Sequence, residues 1–317
     1  MYRLLKLLIG LSLLALLVWL LDWGAALRAL AKADPGWVIG AFLVSVLGVL
    51  ISAGKWQGLL QESRVPLGFV PAARLYWIGM FFSNFLPSSV GGDAVRLMLT
   101  PSHGRTGRVA GSIVAERLTG FLVMLALCLV GLISYPWLLP DPKLQGLLIA
   151  SVLALAVAAA VLLFAPGTLA AIFAYVLGFL PRILQRIGRK VQNVALAVAA
   201  QRRQGRALTR ALLLSLPFYG TIVLAQYCVL QAVGAQVRLV DVLLLGPIVP
   251  LLTILPVSLN GIGVAEGAFV AIFAAIGVTP ELALAAAVLR RIVDLANSAL
   301  GGLFWLAYRG EEKLAPA

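Results

Sequence analysis

Charged side chains are scarce in this 317-residue sequence: they make up 12% of it, whereas hydrophobic residues make up 62%. A soluble globular protein carries about 25% charged residues and about half apolar ones. The composition therefore excludes an ordinary soluble domain. Runs such as 122–133 and 147–165 do not alternate between apolar and polar residues, which excludes a transmembrane β-barrel. The expected class is an all-α integral membrane protein, built as a polytopic helical bundle.

Histidine and cysteine are almost missing, with only His103, Cys128 and Cys228 present. A single histidine excludes a polyhistidine metal site within one chain. Both cysteines fall inside apolar runs, where they are expected to pack rather than to form a disulfide framework. The sequence also lacks a Walker-type nucleotide loop, a His-Glu-x-x-His motif and a cysteine metal cluster. We therefore expect no cofactor and no metal.

Acidic residues are also few, since 12 aspartates and glutamates stand against 25 lysines and arginines, for a net charge of +13. In a soluble protein this charge would suggest nucleic-acid binding, but here the basic residues concentrate in loops beside apolar segments. Retention of positive loops in the cytoplasm and contact with anionic headgroups explain that distribution, so no nucleic-acid partner is expected. Residues 178–210 carry eight basic side chains and no acidic one, and they predict an amphipathic cytoplasmic segment.

Six apolar segments predict full membrane spans, because about 20 helical residues cross a hydrocarbon core of about 30 Å. Lys55 is expected to end the second of them. Two further segments, 72–86 and 240–276, are interrupted by proline and glycine, so residues 1–317 form a single transmembrane domain with eight hydrophobic segments. The six predicted spans lie near residues 7–21, 37–54, 111–135, 147–165, 211–233 and 283–308.

The two interrupted segments are predicted to be re-entrant hairpins rather than spans. Arg64 precedes the first, and Arg96, Arg105 and Arg108 follow it, so both of its ends favour the cytoplasm. Sparsely charged loops, which the same argument places outside, flank the second. Hairpins that enter from opposite faces are typical of an inverted-topology repeat. The corresponding hairpin-plus-span units would be residues 72–135 and 240–308.

Each hairpin carries a helix break that is followed by a carboxylate. The first reads Leu-Pro-Ser-Ser-Val-Gly-Gly-Asp over 86–93, and the second reads Leu-Pro-Val-Ser-Leu-Asn-Gly-Ile-Gly-Val-Ala-Glu over 255–266. Proline and glycine leave backbone N–H groups unpaired, and such groups bind anions such as a lipid phosphate. Serine and asparagine side chains add neutral donors. The two breaks therefore predict a substrate site.

The carboxylates would repel a phosphate, so they are expected to pair with arginines. Spacings of three and four residues place Asp93 beside Arg96, and Asp294 beside Arg290 and Arg291. Glu266 has no base close in sequence, and Arg290 or Arg291 is its expected partner. Whether these carboxylates touch the ligand or only form ion pairs stays open. The predicted substrate-binding residues are Asn84, Ser88, Gly91, Gly92, Asp93, Arg96, Glu116, Arg117, Ser258, Asn260, Gly261, Gly263, Glu266, Arg290, Arg291 and Asp294.

Several strings together resemble the flippase-like transmembrane region of the lysylphosphatidylglycerol synthase family. They are Asn84–Pro87, Gly91–Asp93 with Arg96, Glu116–Arg117, and Pro256–Gly263 with Glu266. The resemblance spans about residues 5–308 and implies a membrane region that moves lipids between leaflets. The sequence ends at Ala317 without the soluble aminoacyltransferase domain of that family, so tRNA-dependent aminoacylation is not expected.

The leading functional hypothesis is a flippase-like transporter of a lipid or a lipid-linked precursor. Its expected partners are membrane lipids, either an anionic phospholipid or a polyprenyl-linked lipid, and a homo-oligomer is compatible with the sequence. The expected location is a bacterial inner membrane, with both termini in the cytoplasm. Two alternatives remain at this point: an intramembrane lipid-modifying enzyme or glycosyltransferase accessory, and a scaffold that transports nothing.

Overall fold

The computed structural model describes residues 23–85, 91–101, 104–138, 141–165, 205–254, 258 and 261–314. The predicted first span, both Leu-Pro pairs and most of the basic segment 178–210 lie outside these residues. The described part is helical, with no strand. Its helices are α1 (Trp23–Ala31), α2 (Pro35–Glu62), α3 (Phe69–Phe85), α4 (Gly91–Leu99), α5 (Thr106–Ser134), α6 (Pro142–Phe164), α7 (Gly205–Ala232), α8 (Leu239–Leu245), α9 (Ile248–Ile254), α10 (Val264–Ala274) and α11 (Pro280–Leu314).

Two of the long helices begin with the same local signal, an aspartate followed by proline. Asp34 caps α2 by accepting a hydrogen bond from Gly36 N at 2.7 Å, and Asp141 caps α6 by accepting one from Lys143 N at 2.9 Å. A capping carboxylate satisfies an N–H group that has no partner in the helix, and proline at the first position loses no hydrogen bond. The start of each helix is therefore encoded locally.

Four described helices, α2, α5, α6 and α7, are long and apolar enough to cross a membrane. The prediction that Lys55 ends the second span is wrong. α2 continues to Glu62, because the lysine is buried inside the protein beside a carboxylate rather than left in lipid. α11 has 35 residues but carries three charged groups in its middle. The total of six spans stays a prediction.

The chain from α2 to α5 and the chain from α7 to α11 follow the same plan. Three backbone hydrogen bonds close the turn after α2, and three bonds between residues 170 positions further along close the turn after α7. The first set joins Ser63 N to Leu59 O, Arg64 N to Gln61 O, and Val65 N to Leu60 O. The second joins Val233 N to Val229 O, Gly234 N to Gln231 O, and Ala235 N to Leu230 O.

The two halves have opposite directions in the molecule. α2 and α7 pack along each other: Asp34 N donates to Ala232 O at 2.9 Å near one end, and Lys55 Nζ donates to Ser215 Oγ at 3.1 Å further along. Residue numbers rise along α2 as they fall along α7, so the two equivalent helices are antiparallel. A repeat whose equivalent helices are antiparallel is inverted. The predicted inverted repeat is therefore confirmed within the described residues.

The first hairpin is tightly closed. α4 turns back along α3, and a Cβ atom at Gly92 would overlap both the Gly79 carbonyl oxygen and Ser83 Oγ. Only glycine allows this approach of two backbones. α3 also packs against α11 of the other half, where Gly301 lies against the Trp77 carbonyl group. Each half is thus held partly by the other.

Candidate functional site

A group of charged side chains lies where α2, α4 and α5 meet, and we call it the first charge cluster. Three of its members are almost completely buried: Lys55 and Arg96 are each 2% exposed, and Glu116 is 3% exposed. The cluster has three cations and two carboxylates. Its members are Lys55, Asp93, Arg96, Glu116 and Arg117.

Each carboxylate of the first charge cluster lies near two of the three cations, and Arg96 is common to both. Asp93 lies 3.1 Å from Arg96 Nη1 and 2.9 Å from Arg117 Nε. Glu116 lies 3.3 Å from Arg96 Nη1 and 3.5 Å from Lys55 Nζ. The predicted pair of Asp93 with Arg96 is therefore present. Glu116 does not pair with its neighbour Arg117, because adjacent residues on a helix diverge.

Arg96 joins both carboxylates and also lies between two aromatic rings. Its guanidinium carbon is 4.1 Å from the Trp56 ring centre and 4.2 Å from the Tyr76 ring centre. Flat guanidinium groups stack on aromatic faces, and a cation there gains from the ring quadrupole. Tyr76 in turn donates a hydrogen bond to Glu116 at 3.4 Å. The cluster is thus packed on several sides.

A second charge cluster lies where α10 and α11 meet. Glu266 forms an ion pair with Arg291 Nε, and its other oxygen accepts a hydrogen bond from Gly263 N at 2.7 Å. Arg290 lies 3.0 Å from Asp294. Arg291 is the partner that the sequence left open between two arginines. We define the second charge cluster as Glu266, Arg290, Arg291 and Asp294.

A cavity of about 330 Å³ opens beside the second charge cluster. All four members of that cluster line it, together with Gln226 from α7 and Asn84 from the first hairpin. Asn84 also donates to Ser298 Oγ at 2.6 Å, which fixes the end of α3 against α11. The remaining lining residues are Ile222, Val249, Pro250, Thr253, Ala265, Phe269, Ala287 and Leu295.

The two clusters occupy corresponding places in the repeat. Asp93 pairs with Arg117 in the first half, and Glu266 pairs with Arg291 in the second, with nearly the same separation along the chain. Lys55 donates to Ser215, and Arg290 donates to Ser45 at 3.0 Å. These two serines are themselves 170 positions apart. Each cluster therefore uses a serine that belongs to the opposite half.

The structure does not bring the sixteen predicted residues into one site. Lys55 and Ser45 mark the two clusters on α2, and ten helical residues separate them by about 15 Å. Ser88 and Asn260 lie outside the described residues. Gly91 and Gly92 begin α4, whereas Gly261 and Gly263 have positive φ angles of 71° and 80° just before α10. Ser258 is buried.

Sequence reasoning missed Lys55, Tyr76 and Gln226. A lysine inside an apolar run was the available signal for Lys55, but it was interpreted as the end of a span. Gln226 is buried, and its Nε2 donates to Gly246 O at 3.3 Å, so its Oε1 is left without a partner within the described residues. No group of histidine, cysteine and carboxylate side chains in the described part of the chain is arranged to hold a metal ion.

The sequence is similar to those of known membrane proteins over nearly its whole length. A UPF0104 membrane protein of Pyrococcus horikoshii is 23% identical over 350 aligned residues, and the match covers 98% of each protein. Two UPF0104 membrane proteins of Methanothermobacter thermautotrophicus are 23% and 22% identical, over 95% and 92% of this chain and 94% and 88% of their own lengths. A family model described as the lysylphosphatidylglycerol synthase TM region matches residues 3–301. The chain therefore belongs to the lysylphosphatidylglycerol synthase transmembrane-region family.

Proposed function

We propose that this membrane protein moves a lipid, or a lipid-linked precursor, between leaflets, and that the headgroup occupies the cavity beside the second charge cluster. The observation that carries the proposal is this cavity, which contains both signs of charge and lies where Asn84 of the first half meets the inverted second half. Transporters built from inverted repeats have their substrate sites at such a junction.

The chemistry of the cavity suits a phosphate-bearing headgroup. Arg290 and Arg291 supply guanidinium groups, which bind phosphate with paired hydrogen bonds. Asp294 and Arg290 both line the cavity, and the Asp294 side chain is 52% exposed, so their ion pair can open toward the cavity. The phosphate would then replace Asp294 on Arg290. Gln226 also lines the cavity and adds a neutral polar side chain to it.

The size and exposure of the cavity fit a headgroup rather than a whole lipid. Its volume of about 330 Å³ lies at the lower end of the range for small-ligand pockets. Leu295 lines it and is 50% exposed, so the cavity continues onto an apolar outer surface. Acyl or prenyl chains would stay on that surface, within the bilayer. Moving only the headgroup avoids taking the tails out of hydrocarbon.

Leaflet translocation of labelled lipids tests the proposal directly. The purified chain is placed in vesicles, and fluorescent anionic and zwitterionic phospholipids and a polyprenyl phosphate are followed from one leaflet to the other. We expect native protein to accelerate at least one of them, and Glu266→Gln and Asp294→Asn to slow it tenfold or more. Glu281→Gln is the matched control, because Glu281 lies on α11 but does not line the cavity.

Each other outcome assigns a different function. Absence of translocation for every lipid contradicts the transport proposal. A chemically changed lipid, formed without other proteins, would instead favour an intramembrane enzyme. Full cellular function of folded Asp93→Asn and Glu266→Gln variants would favour a scaffold.

The orientation of the two hairpins is a separate part of the proposal. We infer that the region near Gly92 opens to the cytoplasm and the region near Gly261 to the outside. Single cysteines at these two places should therefore react with a membrane-impermeant reagent from opposite sides. The native Cys128 and Cys228 are buried and give little background. Labelling of both sites from the same side would contradict the proposed hairpin orientation.

A further inference from the structure

A second cavity, of about 600 Å³, lies at the far end of α2 and shares no residue with the proposed transport cavity. Two arginines line it, and no carboxylate does. We call it the basic loop pocket. Its lining residues are Gln61, Arg64, Pro66, Leu67, Gly68 and Arg105.

Arg64 has an unusual backbone conformation, with a φ of 59°. Non-glycine residues are disfavoured in this left-handed region by about 1–2 kcal/mol. At the equivalent position of the second half stands Gly234, with a φ of 80° and the same turn hydrogen bonds. The turn itself is therefore satisfied by glycine, and forming it does not require an arginine. The conformational cost points to a use for the Arg64 side chain.

The side chain of Arg64 has no hydrogen-bond or ion-pair partner within the described part of the chain. Arg105 lies next to it and donates through Nη1 to the Arg64 carbonyl oxygen, which holds a second guanidinium at the pocket. Arg108 donates to the Ser63 carbonyl oxygen at 3.3 Å. A backbone oxygen therefore positions Arg105 beside Arg64, and no carboxylate lines the pocket that these two arginines border.

The equivalent turn of the second half shows the contrast. There Arg238 stands in the place of Gly68, and Asp241 binds it through two hydrogen bonds of 2.8 and 2.9 Å. That turn carries a neutral pair, whereas the pocket at the turn after α2 is lined by two arginines and no carboxylate. The difference lies in the residues and not in the backbone hydrogen bonds, which are the same in both turns.

We propose that the basic loop pocket binds the phosphate of an anionic phospholipid at the membrane surface. α2 has 28 residues, which give a length of about 42 Å, whereas the hydrocarbon core is about 30 Å thick. The end of α2 therefore reaches the headgroups. Arg64 and Arg105 would hold the phosphate by charge-assisted hydrogen bonds. Pro66 and Leu67 form an apolar wall beside them.

Lipid binding by the purified chain tests this proposal. Phosphatidylglycerol is titrated against phosphatidylcholine in mixed micelles, and bound lipid is counted by native mass spectrometry. We expect phosphatidylglycerol to bind preferentially, and Arg64→Gly and Arg105→Gln each to weaken it about fivefold. Lys32→Gln removes an exposed cation near the opposite end of α2 and should leave binding unchanged.

Arg64→Gly separates a binding role from a structural one. Glycine relieves the left-handed conformation, so the melting temperature in lipid-free detergent should stay the same or rise while lipid binding falls. Unchanged phosphatidylglycerol binding in both arginine variants overturns the proposal. So does equal binding of inorganic phosphate and phosphatidylglycerol, because the pocket would then recognise a soluble anion rather than a lipid.

Discussion

The two hairpins of this protein share one plan but differ in how closely they pack. In the first, Gly92 of α4 lies directly against Gly79 of α3, and no space remains between the helices. The position of the second half equivalent to Gly79 is Val249, 170 residues later. The position equivalent to Gly92 is Ala265, 173 residues later, the same separation as between Asp93 and Glu266. Val249 and Ala265 both line the cavity of the second half. Side chains therefore separate the second hairpin where glycines close the first.

The two charge clusters also differ in how closely their surroundings pack. Three members of the first charge cluster, Lys55, Arg96 and Glu116, are buried, and the cluster contains one more cation than carboxylate. The second has equal numbers of cations and carboxylates, and all four of its members line a cavity. The position equivalent to Lys55 is Ala225, and the position equivalent to Tyr76 is Gly246. Small residues thus replace the bulky ones that fill the first half. The comparison teaches that the first hairpin is the more closely packed of the two, while the second half contributes most of the residues that line the proposed transport cavity.

The largest predicted effect lies in the first charge cluster. Glu116→Gln leaves three cations with one carboxylate, and removing one partner from a buried ion pair costs about 3–5 kcal/mol. We expect a loss of that size in the free energy of unfolding, measured by titration with SDS in mixed micelles. Adding Lys55→Met to this variant removes the unpaired ammonium group and should recover about half of the loss. A single-variant cost below about 1 kcal/mol would contradict a structural role for the cluster.

The close contact of the first hairpin gives the next effect in size. Gly92→Ala places a Cβ atom against backbone and should cost about 2–3 kcal/mol of stability, because α3 and α4 must move apart. Ala265→Val at the equivalent place enlarges a side chain that borders the cavity. It should cost less than about 1 kcal/mol and slow translocation. Equal costs for the two variants, measured by melting temperature, would remove the contrast between the hairpins.

Glu266→Gln should cost less than Glu116→Gln although both carboxylates are buried. The glutamine can still accept a hydrogen bond from Gly263 N, and the Arg291 side chain lines the cavity instead of being fully enclosed by protein. We expect a loss of about 1.5–3 kcal/mol in the free energy of unfolding, the usual value for a hydrogen bond to a charged group. The measurement compares the loss in the free energy of unfolding of Glu266→Gln with that of Glu116→Gln, each relative to the native protein. A cost as large as that of Glu116→Gln would show that both clusters are equally structural.

Asp294→Asn should have the smallest effect on stability, within about 0.5 kcal/mol, because exposed ion pairs contribute little. Its effect on translocation should nevertheless match that of Glu266→Gln, since both carboxylates line the cavity. A variant that is stable and inactive would separate binding from folding most clearly. Normal translocation by Asp294→Asn would contradict the proposal that the headgroup binds at this end of the cavity.

Much of the fold could be predicted from the sequence, because hydrophobic runs and loop charges are local signals. They indicated the helical membrane class and the inverted repeat. The ion pair of Asp93 with Arg96 and that of Arg290 with Asp294 followed from helical spacing. The complete first charge cluster could not be found in this way, since Lys55 on α2 contacts Glu116 on α5, far away in the sequence. Five of the predicted site residues line the cavity, but the cavity itself could not be predicted, because it depends on how α7, α9, α10 and α11 pack together.

The exchange of serines between the halves has a consequence for how the protein assembles. Ser215 completes the surroundings of Lys55, and Ser45 completes those of Arg290, so neither half supplies all the partners of its own cation. A fragment that ends after α6 would insert with Lys55 lacking its partner on α7. The two fragments obtained by cutting between α6 and α7 should therefore be unstable alone and fold when produced together. In this respect the two halves of the single chain correspond to the subunits of an antiparallel dimer joined by a linker.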